Sequence, residues 1–232
     1  MRWLLQERTE ELKKKVTKQG WYVEDTLRLT LEAFKERNPE LVCRISEQYW
    51  DAYNTYLEVL KDAQLISVSL SPHGYYLRLV FGSVVVSKVL LDISNRLNDI
   101  AENISNLVRE PDLNLSALLP EMFTFAQKML RKALRIYVDQ NIEGAAAVCA
   151  QDAYIDRMFE KFANEVIEVM KENGRLVRRG TLLIDIARAI EEISDFAVQI
   201  IEATHYIVTA KFYKCEGDNL SEFSLEYFKN QN

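Results

Sequence analysis

At 232 residues the chain is long enough to bury a sizeable core, as one large domain or two smaller units. Only 7 Gly and 4 Pro, beside 48% hydrophobic and 28% charged residues, predict long helices with few turns. A net charge of −6 argues against a nucleic-acid partner, and the Lys13-Lys14-Lys15 run reads as a solvated helix face.

The first fifteen residues, MRWLLQERTEELKKK, become charged too early for a signal peptide. The longest near-apolar run, Leu79–Leu91, is broken by Lys88 and falls short of the ~20 residues a membrane span needs, so no membrane insertion is expected. Cys43, Cys149 and Cys215 include no CxxC pair and predict reduced thiols in a cytoplasmic protein, with Cys43 and Cys149 as small core residues.

Apolar periodicity predicts one long helix over residues 2–36, with a seam through Leu5, Leu12, Val16, Val23, Leu27, Thr30 and Phe34, weakened at Gly20. Asn38-Pro39-Glu40 is a stop and a fresh start: Asn38 as N-cap, Pro39 at the first helical position, and a second helix to about residue 64. Leu65–Ser71 alternates with a two-residue period and, lacking a pairing partner, reads as an extended connection into Pro72-His73-Gly74. A third long helix follows over Tyr75–Arg109, burying Val86, Leu90, Ile93, Leu97, Ile100, Ile104 and Leu107.

Residues 110–114, Glu-Pro-Asp-Leu-Asn, form the best linker. Beyond it Pro120–Val138 reads as a fourth helix, Asn141 caps a fifth through about Glu172, and Gly174 punctuates before the sixth. In the sixth, Thr181–Lys211, the residues Leu183, Ile186, Ile190, Ile193, Ala197, Ile200, Thr204 and Ile207 form the apolar seam. Glu191, Asp195, Gln199 and Glu202 form a polar stripe almost opposite. Acidic residues at this spacing most often mark a wet face. Glu191 and Asp195 nevertheless repel each other at i,i+4, and Arg188 is the only nearby cation on the helix, an arrangement suited to a multivalent cation.

The order helix, helix, long helix occurs twice, and residues echo it: the segment from Asp99 to Ile104 resembles that from Asp195 to Ile200. The expected fold is all-α, two tandem three-helix bundles over residues 1–110 and 111–212, with the longest helices third and sixth. A tail, 213–232, follows, in which Leu220, Phe223, Leu225 and Phe228 predict a short amphipathic helix capped by Asp218 or Asn219 and docked on the body or on a partner chain.

The run from Ile186 to Ala210 resembles the signature helix of the PhoU family of phosphate-uptake regulators, whose motif is Glu-Arg-Ile-Gly-Asp with Asn four residues on. Glu191 and Asp195 match its Glu and Asp, while Glu192 replaces the Arg, Ser194 the Gly and Gln199 the Asn. Asp152 and Asp156 on the fifth helix match the family's Asp-x-x-x-Asp, and the 39-residue interval from Asp152 to Glu191 suits its spacing without a gap. The resemblance implies a surface multinuclear metal site, of iron or zinc, held by Asp152, Asp156, Glu191 and Asp195. Oxygen-only clusters of this kind suit hard or borderline cations. In the first half the pattern departs: Tyr49 and Tyr53 stand where the aspartates belong, Tyr76 replaces the Asp before Leu77-Arg78, and Asn95 replaces the Glu ahead of Asp99 and Asn103. Glu47 and Asp51 form an acidic pair two residues out of register. The expectation is one metal cluster, in the second half.

By that resemblance the chain is expected to be a cytoplasmic homodimer that engages a phosphate ABC transporter and/or a sensor histidine kinase and restrains the phosphate-starvation response. Catalysis is not expected, and contact with the membrane would be peripheral. Two other readings stay open: a carboxylate-bridged metal enzyme, such as a phosphatase or oxidase, and a metal-free helical adaptor. Glu202-Ala-Thr-His205 is the one Glu-x-x-His, where buried di-iron bundles use two. No Gly-rich phosphate loop, nucleophile elbow or zinc-protease motif is present.

Overall fold

A computed structural model describes residues 2–108, 110, 118–217 and 219–223. It contains α1 (Arg2–Glu36), α2 (Pro39–Leu70), α3 (Tyr75–Leu107), α4 (Leu118–Asp139), α5 (Ala146–Glu172) and α6 (Val177–Thr209), then a hairpin of β1 (Phe212–Glu216) and β2 (Asn219–Phe223). The all-α architecture with six helices is as the periodicity predicts.

The breaks follow local chemistry. Arg37 takes a left-handed φ of 51°, and the Asn38 side chain accepts the Glu40 N–H at 3.0 Å to open α2 with Pro39 at its first position. Asn173 accepts the Arg175 N–H at 3.1 Å across the 3₁₀ turn Gly174–Leu176, a connection short enough to make α5 and α6 antiparallel neighbours. Asn141 caps a turn rather than the fifth helix: it accepts the Glu143 N–H at 2.9 Å, and α5 begins at Ala146.

Three expectations need correction. Leu65–Leu70 is helical, the last turns of α2: Ile66 is buried and Leu70 partly buried against the core, one helical turn apart, while Leu65 and Val68 lie 56% and 84% exposed. The false two-residue period comes from the exposed Val68 standing between Ile66 and Leu70, and a helix already propagating needs only one further bond per residue. The longest helix is α1, with 35 residues against 33 in α3 and in α6. The tail does not open as a helix: Phe212 pairs with Phe223 and Glu216 with Asn219 around Gly217, whose φ is +58°. Leu225, Phe228, Asp218, Arg109 and the expected linker from Pro111 to Asn114 lie outside the described residues.

Each expected seam residue of α6 is buried, from Leu183 to Ile207, and so is each of the seven named on α3. Helices α1, α2 and α3 pack on one another, as do α4, α5 and α6, while α3 lies along α6 and α1 along α4. One buried apolar cluster draws on all six helices. Polar contacts tie the two sets together: Glu24 accepts from Arg131 and Gln127, each at 2.6 Å, and Ser83 meets the buried Tyr137 hydroxyl at 2.7 Å. Gly20 does not interrupt α1; it lets the helix close on Leu134 of α4.

Candidate metal centre

The antiparallel run of α5 against α6 sets two carboxylates on each helix facing along one flank. Asp152 and Asp156 lie one turn apart on α5, both half-buried. On α6 Glu191 is half-buried and Asp195 is exposed. The buried seam of α6 leaves this flank turned outward, where the four groups are half-buried or exposed.

Burial and neighbouring charge raise all four groups. Burial pushes Glu191 up to about 7, with Asp195 and then Asp156 adding repulsion. Burial likewise pushes Asp152 up to about 6; the Ser194 hydroxyl beside it pulls it back, and Asp195, Asp156 and Glu202 raise it further. Asp156 and Asp195 are raised for the same leading reason, with Arg157 partly opposing the shift at Asp156 and Lys214 of the hairpin that at Asp195. Asp152 Oδ1 is buried with no hydrogen-bond partner. Arg188, the cation nearest the acidic pair on α6, is turned onto the Phe159 ring at 5.4 Å.

The donor types are those a hard cation takes: four carboxylates, one of them with an orphaned buried oxygen, all raised chiefly by burial despite the offset from Arg157 at Asp156 and Lys214 at Asp195. As placed, no three His, Cys, Asp or Glu side chains among the described residues converge closely enough to hold an ion.

The substitutions around the motif have distinct roles. Glu192 reaches Arg96 on α3 at 3.5 Å, and Arg96 also holds Asp99 at 2.9 Å. Ser194 donates to the Glu191 carbonyl at 2.7 Å, a local bond a Gly could not make. In the first half Tyr49, Trp50 and Tyr53 form an aromatic cluster with ring centroids 5.1–6.4 Å apart. Asp51 is turned toward α1, where it accepts from the Tyr22 hydroxyl at 3.1 Å, and so does not stand in for a missing ligand.

The cysteines correct the sequence reading. Cys149 and Cys215 are joined in a disulfide across 66 residues, and Cys43 is free and exposed, not a core residue. The hairpin thus comes to lie beside the acidic flank, where Glu202 Oε1 accepts the Cys215 N–H at 3.0 Å and pairs with Lys214 at 3.2 Å. The alternating Phe-Tyr-Lys-Cys-Glu ahead of Gly217 was the available signal for this hairpin.

Fold and flank together define a helical-bundle protein with carboxylates along one surface. The crystal structure of PhoU from Pseudomonas aeruginosa superposes with a TM-score of 0.84 at 20% identity, covering 88% of this chain and 99% of that one. The PhoU domain pattern matches residues 119–204. The phosphate-specific transport system accessory protein PhoU homolog 2 of Thermotoga maritima is 34% identical over 220 residues, 95% of this chain and 94% of the relative. The PhoU protein of Escherichia coli is 24% identical over 220 residues, 92% of this chain and 89% of its own length. The chain belongs to the PhoU family.

Proposed function

We propose that the protein is a cytoplasmic accessory regulator of phosphate uptake that works by binding, not by catalysis. The observation that carries this reading is the near full-length match to a relative named as an accessory protein of phosphate-specific transport. Its partners in this reading are a phosphate ABC transporter and/or a sensor histidine kinase, and through the kinase it restrains transcription of phosphate-starvation genes. The protein acts as a homodimer and meets the membrane only at its surface. Among the described residues no helix is long and apolar enough to cross a membrane.

Asp152, Asp156, Glu191 and Asp195 hold a multinuclear iron or zinc centre in this proposal, and the metal would supply the counter-charge for the flank. Support comes from the orphaned Asp152 oxygen and from the upward shifts at Glu191 and Asp152. The test is affinity purification of the tagged protein from cells at high and low phosphate, with identification of co-purifying proteins. Recovery of transporter or kinase subunits is expected; their absence at both phosphate levels would overturn the proposal.

A further inference from the structure

We propose that Cys149 and Cys215 form a reversible thiol–disulfide site, reduced by a dithiol, whose closed state straps the β1–β2 hairpin and Lys214 against the acidic flank of α5 and α6. Nothing in the regulatory reading requires this bond. In a protein that works inside the cell a disulfide is more often an exchanging, redox-sensing bond than a permanent staple. The strap itself stands on geometry; the reversibility of the bond rests on the cytoplasmic reading above, and its effect on cation binding on the metal reading.

Among the described residues the disulfide is the one covalent anchor of the hairpin. An isolated two-stranded hairpin is marginal in water, and here most of both strands is exposed. Apart from the disulfide, β1 is held by Glu202, by Tyr213 over the His205 ring at 4.3 Å, and by Phe212 stacked on Tyr206 at 4.7 Å. Leu220 of β2 is partly buried against the core. The bond fixes this loose element to Cys149, a wholly buried residue of α5 three positions before Asp152.

The hairpin covers two features of functional interest. His205 is only 5% exposed, and neither ring nitrogen has a hydrogen-bond partner among the described residues. A buried imidazole without partners gains little from this position, and release of Tyr213 would open it to water. Lys214 pairs with Glu202, one end of the stripe that contains Asp195. Its positive charge competes with any cation approaching the flank, and withdrawing it raises cation affinity.

The chemistry balances without a cofactor. A thiolate of the dithiol attacks the Cys215 sulfur, the partly exposed partner, forming a mixed disulfide as the Cys149 sulfur leaves and takes a proton. The second thiol of the reductant then displaces Cys215. The dithiol ends oxidised to a disulfide, and both cysteines end as thiols. Two electrons and two protons are transferred in all.

The test uses the full-length protein in oxidised form and after reduction with dithiothreitol. Alkylation and mass measurement count thiols, hydrogen exchange reports the β1 and β2 amides, and water-proton relaxation measures Mn²⁺ affinity. Reduction is expected to add two thiols and to speed hairpin exchange about tenfold or more while the helices stay protected. Cys215→Ser should show the fast exchange under both conditions. Mn²⁺ should bind about threefold or more tightly after reduction at low ionic strength, and Lys214→Gln should reproduce that gain in the oxidised protein. Three free thiols under oxidising buffer, or hairpin exchange unchanged by reduction, would overturn the strap. Faster exchange with no Mn²⁺ bound in either state would support the strap and count against the metal reading alone.

Discussion

Gly82 on α3 lies directly against Ile207 on α6, so close that a methyl group at residue 82 would collide with the Ile207 side chain. Both residues are buried where the two sets of helices meet. Gly82→Ala gains up to about 1 kcal/mol of helix propensity, but forcing a methyl into this contact costs about 1–3 kcal/mol. Net destabilisation of up to about 2 kcal/mol is expected in urea unfolding. Ile207→Ala creates the room, so the double variant should be less destabilised than the sum of the singles. Strict additivity would show that the two residues do not touch.

The raised carboxylates give a pH dependence with a definite sign. Glu191 titrates at about 7 and Asp152 at about 6 in the folded protein, each above its ordinary value. Between about pH 4 and 7 the native state therefore binds more protons than the unfolded chain, and stability falls as pH rises. The contribution is full below the unfolded pKa values and is lost as pH passes through the folded ones. Both groups are partly solvated, so about 1 kcal/mol is expected rather than the full shift. Urea unfolding from pH 4.5 to 7.5 without added metal checks this: Glu191→Gln should flatten the slope, and an unchanged slope would exclude Glu191 as its source.

The helical frame was legible because α3 and α6 carry seams that only a core-facing helix needs, and Asn38-Pro39 spells out a helix start. The errors lie where local pattern and tertiary context compete. Leu65 and Val68 are exposed apolar residues, which a periodicity argument assigns to a core they do not join. Cys149 and Cys215 are brought together only by the hairpin folding back on α5, a contact that no spacing rule encodes. The acidic positions were readable from the motif, whereas the half-burial that raises Glu191 depends on how α5 packs beside α6.

Glu24 gives a third test. It is 8% exposed and accepts from Arg131 and Gln127 across the α1–α4 contact. Removing a cation from a nearly buried carboxylate leaves charge that is poorly solvated, although Gln127 and partial access at Arg131 soften the loss. Arg131→Ala should cost about 1–3 kcal/mol. Adding Glu24→Gln to it should restore part of that loss, since the uncompensated charge is then gone. Equal stability of the single and double variants would argue that Glu24 gains nothing from Arg131 beyond packing.

The metal proposal turns on the asymmetry between the halves. Asp152, Asp156, Glu191 and Asp195 repel one another on one flank, with Lys214 the cation that acts on Asp195. At the corresponding places in the first half stand Tyr49 and Tyr53, packed with Trp50, and Asp99, paired with Arg96. A neutral phenol is a poor ligand for a hard cation, and an aspartate already held by Arg96 has its charge offset. Protein grown in metal-replete medium should therefore contain iron or zinc held by the second half alone. Asp195→Asn should lose that metal, and Asp99→Asn should keep it. Bound metal should also stabilise the parent by mass action, most strongly near neutral pH where Glu191 and Asp152 must otherwise stay protonated or repel. Elemental analysis of the three purified proteins decides the matter: equal loss in both variants, or a metal-free parent, would defeat the proposal.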